Sequence, residues 1–180
     1  VDDSTSVSTP AENDPSRFGP RFNPDYGSEY LRSDIQAALD GNGTVNQKDV
    51  NGHGTHVAGT AASSGEAYRR SRGTQRYRGA APKPDIIAVK AGDGPYGSNN
   101  VINGMRYCQD VADEAGKPLV INTSLGTDFA PHDGTHILAL AAQQISSTGG
   151  AGTVVVSSAG NSGDPIHTQE TLPAGDTVDV

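Results

Sequence analysis

The sequence predicts an α/β fold, a parallel sheet with helices on both faces, and three observations predict it. The runs DIIAVK (85–90), PLVIN (118–122) and TVVVSS (153–158) are short, continuous and apolar, as parallel strands covered on both faces are. Two segments of helical period separate them, at about 99–115 and 134–147. Strand-helix-strand-helix-strand order implies right-handed crossovers between parallel strands.

Residues 1–30 are rich in Ser, Pro, Asp, Asn and Gly and lack apolar periodicity, so they read as a long irregular segment that lies on something else or is partly mobile. LRSDIQAALD (31–40) predicts a short helix with Leu31, Ile35 and Leu39 on one face. NGHGTHVAGT (51–60) opens a third helix of small residues, from His53 through Ala62, able to lie close against a sheet. The helix at 99–115 sets Val101, Ile102, Met105, Cys108 and Ala112 on one face, with Ser98 or Asn99 placed to cap it and Gly116 and Pro118 to stop it. The helix at 134–147 carries Ile137, Leu138, Ala141 and Ile145 and ends at Gly149-Gly150.

Ligands of open parallel sheets bind beyond the carboxyl ends of the strands. Those ends, VKAGDGPYGS, INTSLGTD and SSAGNSGD, are rich in Gly, Ser and Asn. They offer backbone N–H and C=O groups for gripping an extended chain or stabilising an oxyanion.

Composition narrows the partners. The chain has 180 residues, room for one core, and a formal net charge of −8. Five arginines crowd into one stretch, Arg69 to Arg78, leaving the remainder still more acidic, so a nucleic-acid partner is not expected; the arginine loop reads as a solvated surface, with binding of an acidic substrate or prosegment as the alternative. No apolar run approaches a membrane span, and no membrane association is expected. Cys108, the sole cysteine, is expected to be a buried small hydrophobe.

The histidines raise a metal reading. HDGTH (132–136) has the four-residue spacing of a zinc-protease helix, but the Glu beside the first His is missing and Asp133 and Gly134 oppose a helix, so His132 and His136 are placed in the loop and first turn before the helix. His53 and His56 have no third ligand in fixed relation to them. No metal site is assigned. A general base, by contrast, wants one fixed orientation at the edge of a rigid element with room for substrate, and Gly52 and Gly54 keep the surroundings of His53 open.

HGTHVAGT (53–60) resembles the histidine signature of the subtilisin-like serine proteases, and the likeness runs from about residue 49 to 163 in that family's order. The resemblance implies that His53 is the general base and His56 a structural neighbour. NTSLG (122–126) is similar to the substrate-binding strand end, implicating Ser124, Leu125 and Gly126, and SSAGNSG (157–163) to the oxyanion segment, with Ser158 and Gly160 lining the groove and Asn161 as the amide donor. VKAGDGPYGSNNVINGMRYC resembles the stretch in which a glycine segment, here near Gly97, pairs with an extended substrate. By the family's Asp-His-Ser order the aspartate lies upstream, and Asp2 is favoured over Asp3, the alternative being that both are residues of a solvated terminus and neither is the triad member.

Nothing after Asn161 resembles the family's Gly-Thr-Ser nucleophile motif. The expectation is therefore one partial catalytic domain: an irregular segment over 1–48, the match over 49–163, and the start of a following β segment over 164–180. The nucleophile would lie downstream, and the 180-residue chain alone would lack turnover. The resemblance implies a polypeptide substrate, a prosegment partner, a secreted or cell-envelope location, and no cofactor, although family members sometimes carry a calcium site and none is identifiable in this sequence. Two alternatives stay open: a non-catalytic peptide-binding module of the same fold, and a metal-binding α/β protein.

Overall fold

The computed structural model describes residues 27–66, 77–127, 130–149 and 152–161. Its elements run α1 (Arg32–Leu39), α2 (His53–Ala62), α3 (Ser98–Ala115), β1 (Leu119–Thr123), α4 (Ile137–Thr148) and β2 (Thr153–Ser157). β1 and β2 pair in parallel with Leu119 opposite Thr153 and Thr123 opposite Ser157. The α/β architecture read from the sequence is present, with each of these elements within a few residues of its expected span.

Chain chemistry explains the ends. α3 stops at Gly116, whose φ of 62° is the left-handed conformation glycine tolerates. The Gly116 N–H donates to Asp113 and the Lys117 N–H to Ala112, the paired bonds that close a helix of this kind. The other end of α3 differs from expectation: Gly97, not Ser98 or Asn99, occupies the cap position, and no side chain bonds the first turn there. The Asn100 amide turns back to donate to the Ala91 carbonyl at 3.1 Å, so the polar residues tie the helix to the preceding chain.

The core joins α3, α4 and one face of the sheet through Val101, Met105, Cys108, Ala112, Leu119, Ile121 and Ile145. The thiol of Cys108 is buried and pushed up to about 11 by loss of water, which agrees with its expected role as a small hydrophobe. Ile145, 3% exposed, is the most enclosed of these side chains. Ile145→Ala is expected to lower unfolding free energy by about 2–5 kcal/mol, measured by urea denaturation.

The structure departs from expectation in three further places. Residues 85–90 form no strand. Ile87, Val89 and Ala91 nevertheless pack on the core. Val89 docks on Gly104 of α3 so closely that a Cβ there would lie 2.8 Å from Val89 Cγ1, so the segment is held by side-chain contact rather than by a backbone ladder. Second, the opposite face of the sheet is uncovered among the described residues: Val120, Val154 and Val156 are exposed. Third, α2 buries none of its residues, although its small side chains suit close packing, and the Ile35 and Leu39 face of α1 is likewise exposed.

Of the N-terminal stretch read as irregular, only residues 27–30 are among the described residues, and Glu29 reaches the helical layer. Glu29 is buried and accepts a 2.5 Å hydrogen bond from the Tyr107 hydroxyl of α3. Among the described residues no helix is long and apolar enough to cross a membrane.

Candidate active site

His53 is the first residue of α2 and is exposed. The chain reaches it through Gly52 at φ 85°, a conformation that favours glycine, and the Gly52 carbonyl then accepts the His56 N–H at 3.0 Å. Asp49, four residues ahead of His53, bonds this first turn. Its carboxylate accepts from the Gly52 N–H at 2.8 Å, and from the Thr55 N–H and hydroxyl at 2.7 Å each. The far end of α2 is closed by another segment: the N–H groups of Gly79, Ala80 and Ala81 donate to Ser63, Thr60 and Ala61 at 2.8, 3.1 and 2.8 Å. A Cβ on Gly79 would stand 2.5 Å from the Ala62 nitrogen, so only glycine permits that approach. The helix bearing His53 is thus fastened at both ends. His56, expected as a packed structural neighbour, is exposed among the described residues, because α2 lies against no core face there.

The second half of the site is the shared carboxyl edge of β1 and β2. Parallel pairing brings both strand ends to one side, and the Ser158 N–H extends the ladder by donating to Thr123 at 3.2 Å. Side chains knit the edge further. The Thr123 hydroxyl donates to the Val156 carbonyl and the Ser158 hydroxyl to the Leu125 carbonyl, both at 3.0 Å. The Ser158 N–H and hydroxyl are therefore both occupied in joining the two segments. Gly160, at φ 90°, turns the chain into Asn161, which is exposed and lies at the edge of the described residues.

A cavity of about 490 Å³ opens beside this edge, within the size range of small-ligand pockets. Tyr96, Met105, Leu125, His136, Leu138 and Val155 are among its walls. Tyr96 and Ser98 flank Gly97, so the cavity separates the Gly97 segment from the Leu125-Gly126 segment, the two stretches expected to grip an extended chain. A Cβ on Gly97 would meet nothing within 4 Å, which leaves its backbone open to approach.

His132 and His136 sit as expected, in the bend before α4 and at its cap position. The turn is held by Asp133, which accepts from the Thr135 N–H and hydroxyl at 2.9 and 2.6 Å; its carboxyl lies below the usual range for that reason. Among the described residues no group of three or more His, Cys, Asp or Glu is arranged to hold a metal ion. Asp2, Asp3 and Arg69 to Arg76 lie outside the described residues, as does the β segment expected over 164–180. Sequence reading missed Asp49 and the cavity walls Tyr96 and His136; an acidic residue just ahead of a helix start was the available signal for the first.

The profile of the subtilase family matches residues 16–178. The chain belongs to the subtilase family. This subtilase is 37% identical to serine protease AprX of Bacillus subtilis over 134 residues, 69% of the chain and 28% of that protein. It is 35% identical to subtilisin-like protease 5 of Arthroderma gypseum, covering 84% of the chain and 35% of the relative. Among solved structures it resembles the CspB protease of Clostridium perfringens with a TM-score of 0.59 and 29% identity, over 71% of this chain and 27% of that one. The subtilase chain thus spans about a quarter to a third of the length of these relatives.

Proposed function

We propose that this subtilase contributes the base and the oxyanion donor of a serine endopeptidase, with the nucleophilic serine supplied by the part of the protein that corresponds to the remaining length of its relatives. The observation that carries the reading is the setting of His53: an exposed imidazole on the first residue of a helix secured at both ends, within the family's histidine signature. A base needs that combination of fixed direction and free access.

In this reading the serine hydroxyl attacks the peptide carbonyl carbon while His53 takes its proton. The carbonyl oxygen becomes an oxyanion and accepts a hydrogen bond from the Asn161 side-chain amide. Collapse breaks the C–N bond, and the imidazolium returns the proton to the leaving amine. Water then repeats the sequence on the acyl-enzyme. An aspartate, Asp2 in preference to Asp3, would hold the imidazole tautomer by accepting from its other N–H.

The substrate is an extended polypeptide lying between the Gly97 segment and residues 122–126, with Ser124, Leu125, Gly126, Ser158 and Gly160 supplying backbone groups. The mostly apolar walls of the adjoining cavity favour an apolar substrate side chain there. A prosegment of similar extended form would occupy the same groove, and a secreted or cell-envelope location accompanies the reading.

Treatment of the full-length protein with a serine-directed peptidyl phosphonate tests it. Stoichiometric labelling, lost on prior heat unfolding, is the expected result. Absence of labelling together with retained binding of an extended peptide would replace the protease by a non-catalytic peptide-binding module.

A further inference from the structure

Helix α2 begins without a side-chain cap from its own N-cap residue, since Gly52 has none to offer. Its unpaired N–H groups are instead served from outside, by a carboxylate at residue 49. The donors to Asp49 straddle the histidine: Gly52 precedes it, Thr55 follows it by two, and the Thr55 hydroxyl adds a third bond. Gly54 completes the fit. A Cβ there would stand 3.5 Å from Asp49 Oδ2, so the carboxylate lies over the bare Cα of the residue next to His53.

We propose that Asp49 is the positioning residue of the base: by clamping Gly52 and Thr55 it fixes the backbone segment from which the His53 imidazole is presented. The proposal rests on the reading of His53 as general base. An ordinary cap would steady a helix end; this one encloses a single functional residue between its anchor points. A displacement of the imidazole by about 1 Å is enough to cost roughly 100-fold in rate, so the clamp bears on turnover more than on fold. The Thr55 hydroxyl above all, with the Thr55 and Gly52 N–H groups, holds the Asp49 carboxyl at about 2, so the clamp stays ionised wherever a neutral imidazole can work. Asp49 is exposed, and no core contact depends on it.

The test compares Asp49→Ala, Asp49→Asn and Thr55→Val with wild type in the full-length protein, normalised to active sites titrated with a peptidyl phosphonate. Asp49→Ala is expected to lower kcat about 10- to 100-fold with KM within about twofold, and Thr55→Val, which removes one donor, about threefold. Asp49→Asn, which keeps acceptor oxygen and shape but not charge, should fall between them. Amide hydrogen exchange on the same samples should quicken at Gly52 and Thr55 in Asp49→Ala while Gly79 to Ala81 keep their protection. Wild-type kcat per titrated site in Asp49→Ala overturns the proposal, as does unchanged exchange at Gly52 and Thr55. A kcat loss matched by an equal rise in KM would also overturn it, by marking a general distortion of the groove. Should the wild-type protein neither turn over nor titrate, the protease reading fails, and exchange at Gly52 and Thr55 alone decides whether the clamp exists.

Discussion

His53→Ala in the full-length protein is expected to lower kcat by roughly 10⁶-fold, a magnitude carried over from removal of the base in subtilisin itself. Without an acceptor for its proton the serine hydroxyl is a weak nucleophile. The fold should be indifferent to the change. His53 is exposed and opens a helix, where alanine is the better helix former. The measurements are steady-state hydrolysis of a peptide substrate and a thermal melt of the same sample. An unchanged melt with activity lost supports the assignment, whereas retained turnover would move the base elsewhere. His56→Ala serves as the companion variant: with its side chain exposed, little change in melting is expected.

Asn161→Ala is expected to lower kcat by about 10²- to 10³-fold, equivalent to roughly 2.7–4 kcal/mol, again a value known from subtilisin rather than obtained from this chain. In the proposed mechanism the side-chain amide would meet its acceptor only when the carbonyl oxygen carries developing charge, so KM should change little. The turn that presents it depends on Gly160 at φ 90° and on the Ser158 bonds to Thr123 and Leu125. Asn161→Asp should be at least as damaging, since a carboxylate repels the oxyanion. The check is a kcat and KM split on one peptide substrate, and an unaltered kcat in Asn161→Ala would assign the oxyanion to other donors.

Much of the architecture was legible along the chain because its causes are local. The apolar spacing of Val101, Met105, Cys108 and Ala112 makes a helical face whichever core it meets, and that face is buried. Gly116 ends the same helix because no other residue enters the left-handed region so cheaply. The start of that helix is not written locally: Ser98 and Asn99 are good capping residues by type, yet Gly97 holds the cap position and Asn100 bonds the chain before it, at Ala91. DIIAVK has the composition of a strand, and composition cannot supply the neighbouring ladder that makes one.

The candidate site divides the same way. His53, Asn161 and the strand-end segments stood out because their residue types and spacing carry the family's signature, and parallel pairing places the ends of both strands on one edge. Asp49 did not stand out, because an aspartate in a polar loop looks solvated until its oxygens are seen on Gly52 and Thr55.

Local pattern therefore settled the identity and order of the helices and the two paired strands, the glycine that ends α3, and which histidine opens α2. Contacts between distant residues decided the rest: Gly79 to Ala81 closing α2, Ser158 reaching across 33 positions to Leu125, Tyr107 reaching Glu29, and the cavity between the Gly97 and Leu125 segments. The physical reason is range. Helical period, glycine geometry and strand propensity act over a few residues and are written in order along the chain, while a hydrogen bond or cavity wall between remote segments exists only once packing has brought them together.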